Sequence, residues 1–442
     1  MLQSIRPRVI HGGSSKHLLA ISSHLAGRGH QVTILCARAA DNDKEYMTEE
    51  GVRIIPALPF RDSWVDTWYV KPASMARIVT LVREHASRSQ RTIIFDSHFP
   101  FPDLLPDDVP LIWSLRDYTY MHALLGSTAF RRDVLVAPSQ YIKQAFTDTM
   151  GGLLPGLAER VHVIPNGVDL SVDRIVRSSS AGPTLLFPHR PEAEKGFEDA
   201  LKVTSRLVEL GYSGTRLQLF RGVDAATRPE VASFYRDLHR SIESVGLSGH
   251  VNISDWAAPD EMPGHYAASH VTLCIGTIVE ACSNTALESL ACHTPVHAFA
   301  VGCYPELPGV AVTPIGELSS LVQRIIDEME GRQPRDWPAI DRALRERHAM
   351  PVMLDAFADL IENAEVLPAL APGRQQPTRL KIPSWVSVQK EVLYDEYERR
   401  MIPDPKLRHV WESYGHDAFH ASDDFRSLLK PLVRAGWLVP TY

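Results

Sequence analysis

What most constrains this 442-residue chain is a repeated pattern: short β-branched apolar runs, each closed by polar residues and followed by a helix-like stretch. In the first part these are Val32-Thr33-Ile34-Leu35-Cys36, Ile93-Ile94-Phe95, Leu111-Ile112-Trp113 and Val134-Leu135-Val136-Ala137. Continuous apolar runs of this length mark strands buried on both faces of a parallel sheet. Residues 16–27, with Leu18, Leu19, Ala20 and Leu25 ahead of Gly27-Arg28-Gly29, read as an amphipathic helix with its stop signal. A second series starts after Asn166-Gly167, with strands near 185–187, 217–220, 251–253, 271–274, 296–299 and 310–312, and helices over 197–210 and 317–329. Strand–helix alternation repeated twice predicts an α/β protein of two doubly wound, Rossmann-like domains. Their ligands belong at the C-terminal ends of the strands and in the cleft between the domains.

The boundaries that follow are 1–168 for the first Rossmann-like domain and 169–348 for the second. A helix over 349–366 crosses back to the first domain. Residues 367–384, rich in Pro and Gln, read as a linker. Residues 385–442 read as a small, mainly helical extension, with helices over 388–400 and 425–435. A module of that size is marginal alone, so it is expected to dock on the body or to join two copies in a homo-oligomer.

Composition narrows the function. The 46 basic and 53 acidic residues leave a net charge of −7, which gives nucleic acid and anionic membranes no electrostatic attraction. The apolar runs are too short for a transmembrane segment. Cys36, Cys274, Cys282, Cys292 and Cys303 are odd in number and lack zinc spacing. They point to a reducing cytoplasm rather than a disulfide framework. No metal-ligand cluster appears among the 19 scattered histidines, so neither a metal nor a cofactor is expected.

Chemistry concentrates in three motifs. In Glu280-Ala281-Cys282-Ser283-Asn284-Thr285-Ala286-Leu287-Glu288, the first glutamate sits in a loop and the second in a helix starting near Thr285. Ser283, Asn284 and Thr285 then place backbone N–H groups at a helix N-terminus, a ready site for a diphosphate. Arg190 and Lys195 lie in the loop after strand 185–187, where cations can neutralise a departing anion. Ile164-Pro165-Asn166-Gly167-Val168-Asp169 reads as an interdomain hinge. Each motif alone is equally well a solvated loop or helix face.

Their order resembles glycosyltransferase family 4, retaining enzymes of GT-B fold, over roughly residues 8–365. The matching pieces are Gly12-Gly13, Arg28-Gly29-His30-Gln31-Val32, the hinge, residues 190–196, residues 280–288 and Leu290-Ala291-Cys292-His293-Thr294-Pro295-Val296. The resemblance implies a metal-independent transferase using a nucleotide-diphosphate-sugar as co-substrate. Glu280 would meet the donor sugar and Glu288 the ribose. Arg190 and Lys195 would hold the diphosphate, joined by the N–H groups at Ser283, Asn284 and Thr285. Gly12 and Gly13 would let backbone approach the donor. Glu280, Arg190, Lys195 and His98 form the implied catalytic set. Lys16, His17, His98, Arg116, Asp117 and Tyr118 would line the acceptor pocket. The chain departs from the family in three places: Arg116-Asp117 stands where a histidine is usual, Asn284 and His293 where glycine is usual, and eleven residues precede Gly12. An arginine at that place suggests a small, polar, anionic acceptor and an antibiotic-like tailoring reaction, with Lys16 and His17 adding positive charge. Two alternatives compete: a sugar-nucleotide epimerase or phosphorolytic enzyme on the same architecture, and a non-catalytic partner subunit.

Overall fold

The computed structural model describes residue 5 and residues 13–59, 71–95, 105–119, 123–124, 126, 130, 133–171, 182–189, 193–221, 229–373 and 378–441. Two compact units divide the chain. The first comprises Met1–Gly167, Pro351–Val386 and Asp404–Tyr442, and the second Val168–Met350 and Ser387–Pro403.

In the first unit, strands β1 (Thr33–Ala37), β2 (Tyr46–Met47) and β3 (Arg53–Leu58) form one sheet in the order β1-β3-β2. β3 is central yet contains Pro56, which has no N–H to give a ladder. The register with β1 slips directly after the Cys36–Pro56 pair, where β3 carries one extra residue, Ala57. Strands β4 (Thr92–Ile94), β5 (Leu111–Ser114), β6 (Val134–Ala137) and β7 (Val161–Val163) form a second, wholly parallel sheet in chain order. β5 and β6 are buried along their full length, as their unbroken apolar runs require. Asp133 is 1% exposed, and its carboxylate accepts the Leu111 and Leu367 N–H groups, each at 2.8 Å. The segment after the helix Met350–Glu362 is thereby fastened to the start of β5.

The second unit holds a six-stranded parallel sheet of β8 (Thr184–Leu186), β9 (Arg216–Phe220), β10 (Val251–Ser254), β11 (Val271–Cys274), β12 (Val296–Phe299) and β13 (Val310–Thr313). Its order is β10-β9-β8-β11-β12-β13. Leu185, Leu217, Leu219, Val271 and Leu273 have no solvent exposure and pack with Phe197, Val203 and Leu207 of the helix Phe197–Glu209 and with Leu321 and Ile325 of the helix Leu318–Met329. Each such side chain contributes about 1.5–3 kcal/mol of burial.

The C-terminal part differs from the expected linker and appended module. Within the expected linker, β14 (Arg379–Lys381) pairs antiparallel with β18 (Phe419–His420) and β19 (Val439–Thr441). Residues 388–400, expected as helix, instead lie within the sheet β15 (Val386–Gln389), β16 (Val392–Asp395) and β17 (Arg400–Ile402). Lys390 has φ 60° in the two-residue link from β15 to β16, a hairpin conformation that a helix excludes. Between β16 and β17 the Asp395 side chain accepts the N–H groups of Tyr397 and Glu398 at 3.1 and 3.0 Å, an Asx turn. The helix expected near 425–435 forms as Asp423–Arg434. Residues 385–442 therefore do not make one module: 387–403 belong to the second unit and 404–442 to the first. Among the described residues, no helix is long and apolar enough to cross a membrane.

Candidate active site

The sheet of the second unit dictates where a site can form. From β8 the chain proceeds outward through β9 to β10, and from β11 it proceeds the other way through β12 to β13. The strand order therefore reverses between β8 and β11. In an open parallel sheet, the loops leaving the C-terminal ends of the two strands at such a reversal diverge and leave a crevice. Lys195 lies in the loop after β8 and Glu280 in the loop after β11, so both flank that reversal.

Two glycines let the loops meet. Gly196 has φ 89°, and a Cβ there would collide with the Ile275 carbonyl. A Cβ on Gly276 would stand 2.9 Å from the Glu194 carbonyl oxygen and 3.2 Å from the Lys195 Cα. With the backbones that close, the Glu194 carbonyl accepts the N–H groups of Thr277 at 3.0 Å and Ile278 at 3.3 Å. Lys195 Nζ then donates to Glu280 Oε1, with the two side chains 22% and 21% exposed. Half-shielded, this pair attracts more strongly than one on the open surface, because the effective dielectric is lower. His189, beside the Phe187 ring, is held down to about 4 by burial and the Lys195 charge, so it is neutral near pH 7.

The helix Asn284–Ala291 begins four residues beyond Glu280, with Ser283 as its cap, whose hydroxyl accepts the Ala286 N–H at 3.3 Å. Asn284 and Thr285 form its first turn, whose N–H groups and dipole favour an anion. One turn further, Glu288 Oε2 accepts the buried Tyr266 hydroxyl at 3.3 Å. Burial and the Glu288 charge raise the phenol well above its ordinary value, so it stays a donor. His293 takes φ 55° and is held by stacking on Trp337 at 4.6 Å and by Asp341 at 2.8 Å. Those two contacts offset the backbone strain of a side chain at that φ.

The first unit contributes a second cluster. On the helix Gly13–Gly27, His17 is 1% exposed. Its Nε2 lies 3.0 Å from the Gly167 carbonyl and its Nδ1 2.9 Å from Arg116 Nη2. A carbonyl only accepts and a guanidinium only donates, so the ring is the neutral Nε2–H tautomer. Burial, followed by Arg116, lowers its pKa to about 3. Arg116 also bonds Asn166 and lies 5.0 Å over the Phe95 ring. Two expectations change here. His17 adds no positive charge to an acceptor pocket, because protonating Nδ1 would aim an N–H at the guanidinium. Tyr118 is 2% exposed, its ring edge-on to Phe146 at 5.8 Å in the core of the unit, rather than lining a pocket. Lys16 is partly exposed next to His17, and Asp117 follows Arg116. Gly13 opens the helix, whereas Gly12, His98 and Arg190 lie outside the described residues.

The sequence model of Glycosyltransferase Family 4 matches residues 11–172. A glycogen synthase of Mycobacterium tuberculosis is 25% identical over 418 residues, covering 84% of this chain and 94% of the relative. The solved structure of Anabaena HepE in complex with UDP-glucose shares the fold with a TM-score of 0.60 at 17% identity, over 81% of this chain and 97% of that one. The chain is a GT4-like glycosyltransferase of GT-B fold. A partial relative of this glycosyltransferase is the 2-deoxystreptamine glucosyltransferase of Streptomyces kanamyceticus, 27% identical over 210 residues, or 42% of this chain and 51% of that one.

Several residues around the two candidate clusters escaped sequence reasoning. Tyr266 carried no motif, and only its place one strand before the Glu288 helix could have suggested it. Asn166 read as hinge, yet its side chain holds Arg116. Glu396 and Gln389 lie in a segment read as helix, and both reach loops of the second unit. Gln389 donates to the Ala300 carbonyl at 2.9 Å and accepts the Ile315 N–H at 2.9 Å.

Proposed function

We propose that this glycosyltransferase is a retaining, metal-independent enzyme that takes a sugar from a UDP-sugar donor to a small polar acceptor in specialised metabolism. The observation that carries the donor reading is the Lys195–Glu280 pair at the strand-order reversal, beside the N-terminus of the helix Asn284–Ala291. A diphosphate placed there meets the Lys195 ammonium and the helix dipole, which offer charge neutralisation without a metal. Arg190 is proposed as a second cation at that place. Glu280 takes hydroxyls of the sugar and Glu288 those of the ribose. In the reaction the bond from the anomeric carbon to the diphosphate oxygen breaks. The acceptor hydroxyl bonds that carbon on the same face, and its proton passes to the departing phosphate oxygen. Such a path requires no strong protein base, and it is consistent with an arginine where the family usually has a histidine.

Support for UDP-glucose comes from HepE, whose structure holds it. Support for a small polar acceptor comes from the glucosyltransferase named for 2-deoxystreptamine. A cytoplasmic location is proposed from the five cysteines, none of which is in a disulfide. The test is a thermal-shift panel of UDP-, GDP- and dTDP-sugars, since a ligand that binds only the folded state raises the melting temperature. A shift with UDP-glucose and UDP supports the donor reading. No shift with any of them at millimolar concentration refutes it.

A further inference from the structure

The residues proposed to hold the donor are themselves held by a segment outside the family resemblance. Residues 387–403 belong to the second unit and touch its loops at several places. Glu396 is 4% exposed, and its Oε2 accepts the Gly302 N–H at 3.0 Å. Gly302 has φ 57° and lies directly on the Glu280 backbone: a Cβ there would be 2.6 Å from the Glu280 carbonyl oxygen and 2.8 Å from its nitrogen. The next N–H, of Cys303, donates to that same Glu280 carbonyl at 3.0 Å. Gln389 meanwhile holds the Ala300 carbonyl at the start of the same loop. On the other side of the site, Arg399 Nη1 stands 3.4 Å from Glu194 Oε1, one residue before Lys195.

From this chain of contacts we infer that Glu396 is a positioning residue for Glu280, and that the sheet β15–β17 is a brace built into the donor site rather than part of a separate appendage. The inference rests on the reading of Glu280 as the residue that meets the donor sugar. The physics is that of a buried carboxylate. It stays buried only where donors satisfy it, and the Gly302 N–H is one of them. The left-handed backbone at Gly302 brings Cys303 N–H onto the Glu280 carbonyl, and Glu396 fixes that turn by its N–H. A Glu280 side chain carried on a loosened backbone wanders, and misplacement by about 1 Å is enough to cost a reaction on the order of 10²-fold. Nucleotide held by Glu288 and the helix N-terminus is affected less, because those groups stand on the helix Asn284–Ala291 rather than on the Gly302 turn.

The experiment compares Glu396→Ala and Glu396→Gln with the wild-type full chain, using UDP for binding and UDP-glucose for turnover. Hydrogen exchange of residues 277–283 and 300–304 is followed alongside. Glu396→Ala is expected to speed exchange in both segments about tenfold or more, as for a local opening made easier by one lost hydrogen bond to a charged group. The helix Leu318–Met329 serves as the internal reference and is expected to be unchanged. UDP-glucose turnover is expected to fall at least tenfold in kcat, with UDP affinity kept within about threefold. Glu396→Gln retains an acceptor oxygen toward Gly302 and is expected to recover most of both losses. Unchanged exchange in the two segments overturns the inference, as does faster exchange with unchanged kcat. If the wild-type chain itself neither binds UDP nor turns over UDP-glucose, the donor reading falls, and it is seen to fall before any variant is made.

Discussion

Buried His17, in contact with the partly exposed Arg116, sets a stability that depends on pH in a calculable way. The perturbation is His17→Gln, which retains a side-chain N–H for the Gly167 carbonyl but cannot take a proton. In the folded protein His17 titrates near 3, against 6.5 when unfolded. The shift is downward, so the folded state refuses a proton that the unfolded state accepts. Above pH 6.5 neither state binds it and the histidine is neutral to stability. As pH falls below 6.5 the unfolded state gains the proton and stability is lost. Between pH 7 and pH 5 the loss is about 2 kcal/mol, since each unit is worth about 1.36 kcal/mol once the unfolded state is mostly protonated. Any folded value below about 4 gives the same figure, because pH 5 still lies above it. Urea unfolding of wild type and His17→Gln at the two pH values measures the difference of their pH dependences, in which the other groups cancel. Wild type is expected to lose about 2 kcal/mol more than the variant. Equal losses would show that His17 is protonated in the folded protein, and the assignment of its Nδ1 as acceptor from Arg116 would be wrong.

Lys195→Ala removes a cation from where charge develops and is expected to lower kcat by roughly 10²-fold; near-normal steady-state turnover would place the diphosphate elsewhere. Glu288→Gln is expected to weaken UDP binding about tenfold or more, because a charged acceptor is lost, whereas Glu280→Gln should lower kcat more than affinity. Calorimetry with UDP decides between them, and equal affinity losses would contradict the division. Ending the chain at Pro372 removes Leu380, Leu407, Val410 and Leu438 from the core of the first unit, and β15–β17 from the second. Soluble yield and melting temperature are therefore expected to collapse, and an unchanged melt would show the tail to be dispensable.

The parallel sheets were legible because residues such as 111–113 and 271–274 are buried on both faces, so the run of apolar side chains is itself the signal. The start of the helix Asn284–Ala291 was legible because helix-cap chemistry leaves local marks, here Ser283 three residues before Ala286. Strand β3 was not, because Pro56 argues against a central strand. The hairpin β15–β16 was missed for a related reason: Lys390 at positive φ replaces the glycine or asparagine that would have announced the turn. The partners of Arg116 were not legible, because His17 and Asn166 are 99 and 50 residues away. No local pattern reports a contact of that separation.

The threading of the chain also sets when each unit is able to fold. The second unit lacks β15–β17 until residue 403 has been made, and the first lacks β19 until residue 441. Neither becomes complete while its main body is emerging from the ribosome. At about 5–20 residues per second, the 91 residues from 351 to 441 take on the order of 5–20 s to add. Through the first half of that interval the Glu280 loop waits without Glu396, and the start of β5 receives Leu367 only after the whole six-stranded sheet has been synthesised. The late brace thus orders assembly in time: the turn that carries the Glu280 loop is fixed only after the six-stranded sheet beneath it already exists.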